Sequence, residues 1–368
     1  MDIQQLFKIM LEKNASDLHL RSDSVPYLRI SGELTPADNI TPISNSEIKE
    51  MIYGLMNPEQ KKIFETKYEC DLSVSIADFG RFRLNVYKQK NTVSVCVRHI
   101  PAEIPKFESL NLPVIIKKLA ENDTGLVLVT GQTGCGKSTT LAAMIDHINS
   151  TKSVNIITIE DPIEFVHKDK KSIISQRELG IDTLSYYDAL KHVVRQDPDV
   201  ILIGEMRDYE TVQAALTAAQ MGHLVLSTIH TIDTIQTVNR IVEMFPPHHQ
   251  NQIRFQLGDC LKGVISQKLL SSVSSKRMIP AVEVLVVTPL IKKYIQENNL
   301  AEISNLLKQG QYYGMQTFNQ ALLKLYKEGK VKLEDALEVA PSPEELMMSI
   351  HGIETSTEDS TRKIIERF

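Results

Sequence analysis

The chain has 368 residues, 42% apolar and 24% charged, with a formal net charge of −5 at pH 7. That length allows two or three domains with sizeable cores, and the negative balance argues against a general nucleic-acid binder, though not against a local basic patch. No apolar run approaches the roughly 20 residues that span a bilayer, and no basic segment precedes an apolar core at the N-terminus, so any membrane association is expected through a partner protein.

Residues 1–100 read as one small α/β domain without nucleotide chemistry. Ile3, Leu6, Phe7, Met10 and Leu11 fall on one helical stripe. Ser44-Asn-Ser-Glu47 resembles a capping box and leads into a second stripe at Ile48, Met51, Ile52 and Leu55. Between them lie strand-like runs at 17–20 and 27–30, with a turn at Ser31-Gly32. The stretch 70–98 alternates with period two: Leu72, Val74 and Ile76, then Phe82, Leu84 and Val86, then Val93, Val95 and Val97. That pattern predicts a half-buried antiparallel meander. Its other face carries Arg81, Arg83, Asn85 and Arg98, for which a solvated strand face is the ordinary reading. Pro101, Pro105 and Pro113 mark 101–113 as an extended interdomain linker.

From 114 to 288 strands and helices alternate. Strands are predicted at 126–130, 154–159, 200–204, 223–229 and 279–287, with helices between them, such as 186–196 and 209–221. A mostly parallel sheet covered by helices follows, with ligands at the carboxyl ends of its strands. Residues 289–352 are expected to be entirely helical, and the polar tail 353–368 mobile.

Within that region Gly131, Gln132, Thr133, Gly134, Cys135, Gly136, Lys137 and Ser138 spell G-x-x-x-x-G-K-S, between the apolar run Leu126–Val129 and a helix-like stretch Ser138–Asn149. Strand, glycine-rich turn and helix form the context a phosphate-binding loop requires. Its backbone N–H groups converge on phosphate oxygens, helped by the helix N-terminus. Lys137 would reach the β- and γ-phosphates of ATP, and Ser138 would ligate Mg2+. The nucleotide-binding set is taken to run through Thr139. Four cysteines, at 70, 96, 135 and 260, form no C-x-x-C pair, so a zinc knuckle is not expected and their scatter suits a reducing cytoplasm. Cys135 reads as a small residue tolerated at a variable loop position, with alkylation or oxidation there as the alternative.

Hydrolysis needs acids as well. The apolar strand Val200–Gly204 ends in Glu205, placed where such ATPases hold the Mg2+ shell with a strand-end acid, more usually aspartate. Glu160, Asp161 and Glu164 follow another strand, and clustered acids beside a metal either ligate it or orient and deprotonate water. A capped turn at Asp161-Pro162 is the plainer alternative. His223 and His230 bracket the run 224–229. Seven strand residues separate them by roughly 20 Å, so they cannot share a metal. His230, at the carboxyl end, could approach the γ-phosphate.

The order of these elements is recognisable. The phosphate loop, Ile159–Glu164, Arg195–Asp199 with Gly204–Asp208, and His223-Leu-x5-His230-Thr231 resemble the secretion ATPase superfamily. Ser16–Leu20, Arg81–Asn85, Ser266–Leu270 and Gly314–Thr317 extend the resemblance over nearly the whole chain, towards the PilT/PilU family of type IV pilus retraction ATPases. The resemblance implies a PAS-like α/β domain (1–100), the linker, a RecA-like ATPase domain (114–288) and a C-terminal helical region (289–352). It implies a homohexamer that binds ATP and Mg2+. Such a ring would be cytoplasmic, peripheral to the inner membrane at the pilus base, and in contact with the platform protein and pilus machinery. It would bind no nucleic acid and insert no segment into the membrane. Arginines of the N-terminal domain complete the family's site, which promotes Arg81, Arg83 and Arg98 to phosphate-sensing candidates. His223 and His230 match its histidine box, Glu160, Asp161 and Glu164 its aspartate box, and Glu205 its Walker B acid. Arg207 falls in the same element and joins the nucleotide-binding candidates.

One element departs from the family. A helical Ala-Ile-Arg-Asn-Leu-Ile-Arg-Glu segment usual in retraction motors reads Glu302-Ile-Ser-Asn-Leu-Leu-Lys-Gln309 here, with Ser304 and Lys308 at the arginine positions. An accessory, PilU-like role stays open. Extension and type II secretion ATPases usually carry an extra N-terminal domain and a four-cysteine zinc element, and neither is expected here. A nucleic-acid translocase is disfavoured by the negative charge and the lack of Trp, and an ATP-binding scaffold without turnover by the acidic elements.

Overall fold

The computed structural model describes residues 2–30, 32–76, 79–100, 104–274 and 278–352. Pro101, Ser31 and the predicted mobile tail 353–368 lie outside the described residues. The chain divides into two compact units, Met1–Glu103 with Glu164–Val166, and Ile104–Ile163 with His167–Phe368.

Among its described residues the first unit contains α1 (Ile3–Glu12), β1 (Asp17–Arg21), β2 (Tyr27–Ile30), β3 (Glu33–Pro36), α2 (Asn45–Leu55), α3 (Pro58–Lys67), β4 (Glu69–Ile76), β5 (Gly80–Gln89) and β6 (Thr92–Ile100). The strands form one antiparallel sheet in the order β3-β2-β1-β6-β5-β4. The predicted alternation holds: Phe82, Leu84 and Val86 are buried with Val93, Val95 and Val97. Against them pack Leu6, Phe7 and Met10 of α1 and Ile48 and Ile52 of α2, with Phe7 stacked on Phe82 at 4.2 Å between centroids. The Ser44 capping box at the start of α2 is present. Two elements escaped prediction. Helix α3 buries only Phe64, so it has no apolar stripe to read, and β3 is an edge strand with no buried residue.

On the sheet, Arg83 stands directly across from Arg98. Like charges opposed this way repel, and each is offset by its own acid: Arg83 lies 3.6 Å from Asp71, and Arg98 2.9 Å from the buried Asp17.

The second unit begins with a 3-10 turn, Phe107–Leu110. Here the expected extended linker is corrected, because Phe107 is buried with Ile116 and Leu141. Then follow α4 (Ile115–Ala120), β7 (Gly125–Thr130), α5 (Lys137–Thr151), β8 (Asn155–Glu160), β9 (Ile173–Glu178), α6 (Tyr186–Val193), β10 (Val200–Ile203), α7 (Tyr209–Gln220), β11 (Leu224–Ile229), α8 (Thr234–Glu243), α9 (Pro247–Cys260), β12 (Leu261–Ser271) and β13 (Met278–Val286). The helices α10 (Pro289–Gln296), α11 (Leu300–Gln309), α12 (Phe318–Lys327), α13 (Leu333–Val339) and α14 (Pro343–Ile350) complete it.

The sheet order is β13-β12-β7-β11-β10-β8-β9, parallel throughout except for the β12–β13 pair. Every residue of β7, β10 and β11 is buried, as expected for strands covered on both faces. Leu126 and Leu128 pack on one side with Leu216 and Leu257, and Val127 and Val129 on the other with Met144 and Ile145. Strands β9 and β12 were not anticipated. Only Glu178 of β9 is buried, so that edge strand lacks a hydrophobic pattern, and polar Ser266-Gln267-Lys268 interrupts the apolar run of β12. Where β12 meets β7 the register shifts between Leu261 and Gly263, leaving Lys262 unmatched.

The expectation that 289–352 is entirely helical needs one correction. Between the 3-10 turn Gly310–Tyr313 and α12, Gln316 exchanges backbone hydrogen bonds with Val284 of β13, at 2.9 and 3.2 Å. A buried carboxylate reinforces this seam. Glu283 accepts hydrogen bonds from the Thr234 backbone N–H at 2.9 Å, the Thr234 hydroxyl at 2.8 Å and the Phe318 N–H at 3.3 Å, tying β13 to the starts of α8 and α12. Burial raises its pKa against the lowering effect of those donors. Glu283→Ala strands buried donors at both helix starts and is expected to cost about 3 kcal/mol, read by thermal melting. Glu283→Gln keeps an acceptor oxygen and is expected to cost much less. Equal melting of both variants would contradict the role of this carboxylate.

Candidate active site

Strand β7 delivers the chain to the phosphate loop at Thr130. Gly131, Gly134 and Gly136 adopt φ of +138°, +80° and +91°, values that other residues rarely tolerate. At Gly131 space forbids a side chain as well: a Cβ there would lie 2.5 Å from both the Cys135 Sγ and the Gln267 carbonyl oxygen. The loop tip, Gln132, Thr133 and Gly134, is exposed, and Ser138 and Thr139 are half-buried on the first turn of α5. The Lys137 ammonium donates to the carbonyls of Gly131 at 2.9 Å and Gln132 at 3.0 Å. Cys135 turns its side chain under the loop, and burial pushes its thiol up despite the opposing pull of Lys137. Its side chain therefore packs instead of facing a ligand, and the alkylation alternative loses its reactive thiolate.

Behind the loop, hydroxyls take the place of apolar packing. Thr130 Oγ1 and Ser266 Oγ are 2.6 Å apart, Thr231 and Thr237 hydroxyls 2.7 Å, and Gln267 Nε2 donates to Thr140 Oγ1 at 2.9 Å. Ser266 and Gln267 stood out in the sequence as part of the Ser266–Leu270 resemblance, which gave no role behind the loop.

Parallel pairing brings the acids to the same edge of the sheet as this loop. β10 ends at Ile203, and Glu205 follows Gly204. Met206 N–H donates to the Thr228 carbonyl at 3.0 Å, and Thr228 Oγ1 to the Gly204 carbonyl at 2.6 Å, so the Glu205 segment is pinned to β11. Glu205 Oε2 lies 2.8 Å from Arg207 Nη2, and Oε1 lies 3.1 Å from His230 Nε2. Burial alone would raise this carboxyl, but the Arg207 hydrogen bond and the charges of His230, Arg207 and Lys137 hold it below its usual range. The carboxylate is 17% exposed and the guanidinium 69%, so Arg207 reaches the site through Glu205. His230 is brought to the acid. His223 is not. It precedes β11, whose first residue pairs with Gly125 at the entry to β7, at the opposite end of the strand from the phosphate loop. About 20 Å of strand separates it from His230, so the expectation that it binds nucleotide in its own subunit is corrected.

Glu160 closes β8. Its Oε1 accepts from Thr158 Oγ1 at 2.6 Å and from Gln176 Nε2 at 3.0 Å. Asp161 is exposed and precedes a cis Asp161–Pro162 bond. Glu164 is exposed and belongs to the first unit, as do Arg81, Arg83 and Arg98. Tyr186 is the residue that sequence reasoning missed most completely. The first residue of α6, it carries its hydroxyl to Gly204, and an aromatic at a helix start gives no warning of that. Among the described residues no group of three or more His, Cys, Asp and Glu is arranged to hold a metal alone.

The arrangement joins a phosphate-cradling loop to two oriented carboxylates on neighbouring parallel strand ends, which is what nucleotide hydrolysis requires. Similarity to known proteins agrees with it. The Pseudomonas aeruginosa type IV pilus retraction ATPase PilT is 41% identical over 344 residues, 94% of this chain and 99% of that one. The type IV pilus ATPase PilU of the same organism is 40% identical over 350 residues, 95% of this chain and 91% of the relative. A crystal structure of the pilus retraction motor PilT with bound ADP superposes with a TM-score of 0.89 at 44% identity, covering 94% of this chain and 99% of that one. The expected α/β architecture, an N-terminal domain followed by a parallel-sheet ATPase domain, is therefore the fold of this chain. The sequence model of the type II/IV secretion system proteins matches residues 2–364, and the chain belongs to that family.

Proposed function

We propose that this chain is an ATP-hydrolysing motor that powers type IV pilus retraction. The observation that carries the reading is the phosphate loop with Glu205 and Glu160 at the same carboxyl-end edge of the parallel sheet, in a chain similar over nearly its full length to a retraction ATPase. Lys137 and the loop N–H groups bind the phosphates. Glu160, held at one oxygen by two donors, is the base that activates water, with Glu164 the next candidate. Glu205, kept ionised by Arg207 and His230, faces the cation side.

The residues fit Mg2+, which takes oxygen donors from phosphates, waters and one or two carboxylates instead of an all-protein cage. Ser138, Glu205 and Asp161 would hold it, and it would neutralise charge developing on the phosphates. A homohexamer, docked through partners on the inner-membrane platform at the pilus base, is the proposed assembly. No helix among the described residues is long and apolar enough to cross a membrane.

One observation favours an accessory, PilU-like role as second reading. In α11, Lys308 is committed to Glu345 of α14 at 2.9 Å, and Ser304 carries no charge. Deleting the gene and scoring pili and twitching separates the functions. Hyperpiliated, non-motile cells support the retraction motor, hyperpiliated cells that still twitch the accessory role, and bald cells extension.

Lys137→Ala is expected to abolish ATP turnover with an unchanged melting temperature, because the phosphate charge loses its partner. Wild-type rates in that variant would remove the ATPase assignment. Glu160→Gln is expected to lower kcat roughly 100-fold or more while nucleotide affinity persists. Normal hydrolysis there, with loss in Glu164→Gln, would reverse the assigned roles. Arg81→Ala, Arg83→Ala and Arg98→Ala, assayed singly with assembly followed by light scattering, test the arginine proposal. At least one should lose roughly 10³-fold in rate without losing the hexamer. Three fully active variants would return those arginines to a solvated face.

A further inference from the structure

Strand β9 is an edge strand with one buried residue, yet one of its side chains reaches the acid that ends β8. Gln176 stands directly across from Thr158 in the parallel β8–β9 register, and Glu160 lies two residues beyond Thr158. Matched and alternate positions face the same side of a sheet, so Thr158, Gln176 and Glu160 share one face. There Gln176 Nε2 donates to Glu160 Oε1 at 3.0 Å, and Thr158 Oγ1 to the same oxygen at 2.6 Å. Donors converging on one oxygen from two strands fix the rotation of a carboxylate as well as its place.

The amide can hold the acid in one orientation only. Its Oε1 accepts from the His167 backbone N–H at 2.8 Å, and that N–H can only donate. Turned over, the amide would set its oxygen against the carboxylate and its NH2 against the N–H. The N–H itself is anchored, because the segment that follows it is tied to the last turn of α5. Asn149, fully buried, donates to the Lys168 carbonyl at 2.8 Å and accepts from the Lys170 N–H at 3.0 Å. The Lys171 N–H donates to the Asn149 carbonyl at 2.9 Å. The same helix starts at Lys137 of the phosphate loop, so one rigid element supports both the loop and the frame around Glu160. We propose that Gln176 is a positioning residue for hydrolysis: its amide, set by the His167 N–H, orients the Glu160 carboxylate for the water it activates. The proposal rests on the reading of Glu160 as the base.

Gln176→Met keeps the length of the side chain and removes the donor. In the full chain it is expected to lower kcat about tenfold, as for loss of a hydrogen bond to a charged group. KM for ATP and the affinity for a fluorescent ADP analogue should stay within about twofold. Thr158→Val removes the other donor and should cost a similar factor, and Thr158→Ser, which restores a hydroxyl, should recover most of that loss. A purely structural role is separated by adding Gln176→Met to Glu160→Gln. The residual rate should then fall no further, since both changes act through one contact. Wild-type kcat in Gln176→Met would overturn the assignment, as would a further tenfold loss on top of Glu160→Gln, or failure of both Gln176→Met and Thr158→Val to fold. Full activity in Glu160→Gln would sink the base reading itself, whereas an inactive Glu160→Gln beside an indifferent Gln176→Met sinks only the glutamine.

Discussion

The parallel register of β7, β11, β10 and β8 is the constraint from which the site follows. Leu226 pairs with Val127 on one side and Leu202 on the other, and Leu202 pairs with Thr158. Once those rows are locked, Thr130, Glu160, Gly204 and His230 emerge at one edge of the sheet. Hydrophobic burial on both faces holds these strands in the interior, since every residue of β7, β10 and β11 is buried. The chemistry is thus positioned by residues that take no part in it.

Charge at that edge is tolerable only because it is divided among partners. A half-enclosed Glu205 without Arg207 and His230 would drift towards its neutral form, and a neutral acid could not serve a cation. The first unit obeys the same economy on a smaller scale, since Arg83 and Arg98 face each other only with Asp71 and Asp17 at their flanks.

Much of this was legible in the amino acids. The phosphate loop, the central strands and Glu205 declare themselves because each couples a local pattern to a fixed spacing. Features that depend on long-range pairing did not. Edge strand β9 has one buried residue and no rhythm. His223 joined the candidates through the histidine box of the resemblance, although its place before β11 already set it at the other end of the strand from His230. Cys135 points inward because Gly131 leaves a hollow for it. The hydroxyl of Tyr186 arrives from a helix between two acid-bearing strands, a juxtaposition that no spacing encodes.

The unmatched Lys262 has an effect several residues further on. Were β12 regular from Leu261, Lys262 would fall on the row of Val127, inside an apolar face, and Ile265 on the row of Thr130. Set aside as an extra residue, Lys262 instead lets Ser266 arrive opposite Thr130 and Gln267 beside Thr140. The bulge is a spacer that tunes the strand's arrival under the loop. Between Gly263 and Gln267 no residue can be gained or lost without swapping a hydroxyl for an alkyl group beneath the phosphates.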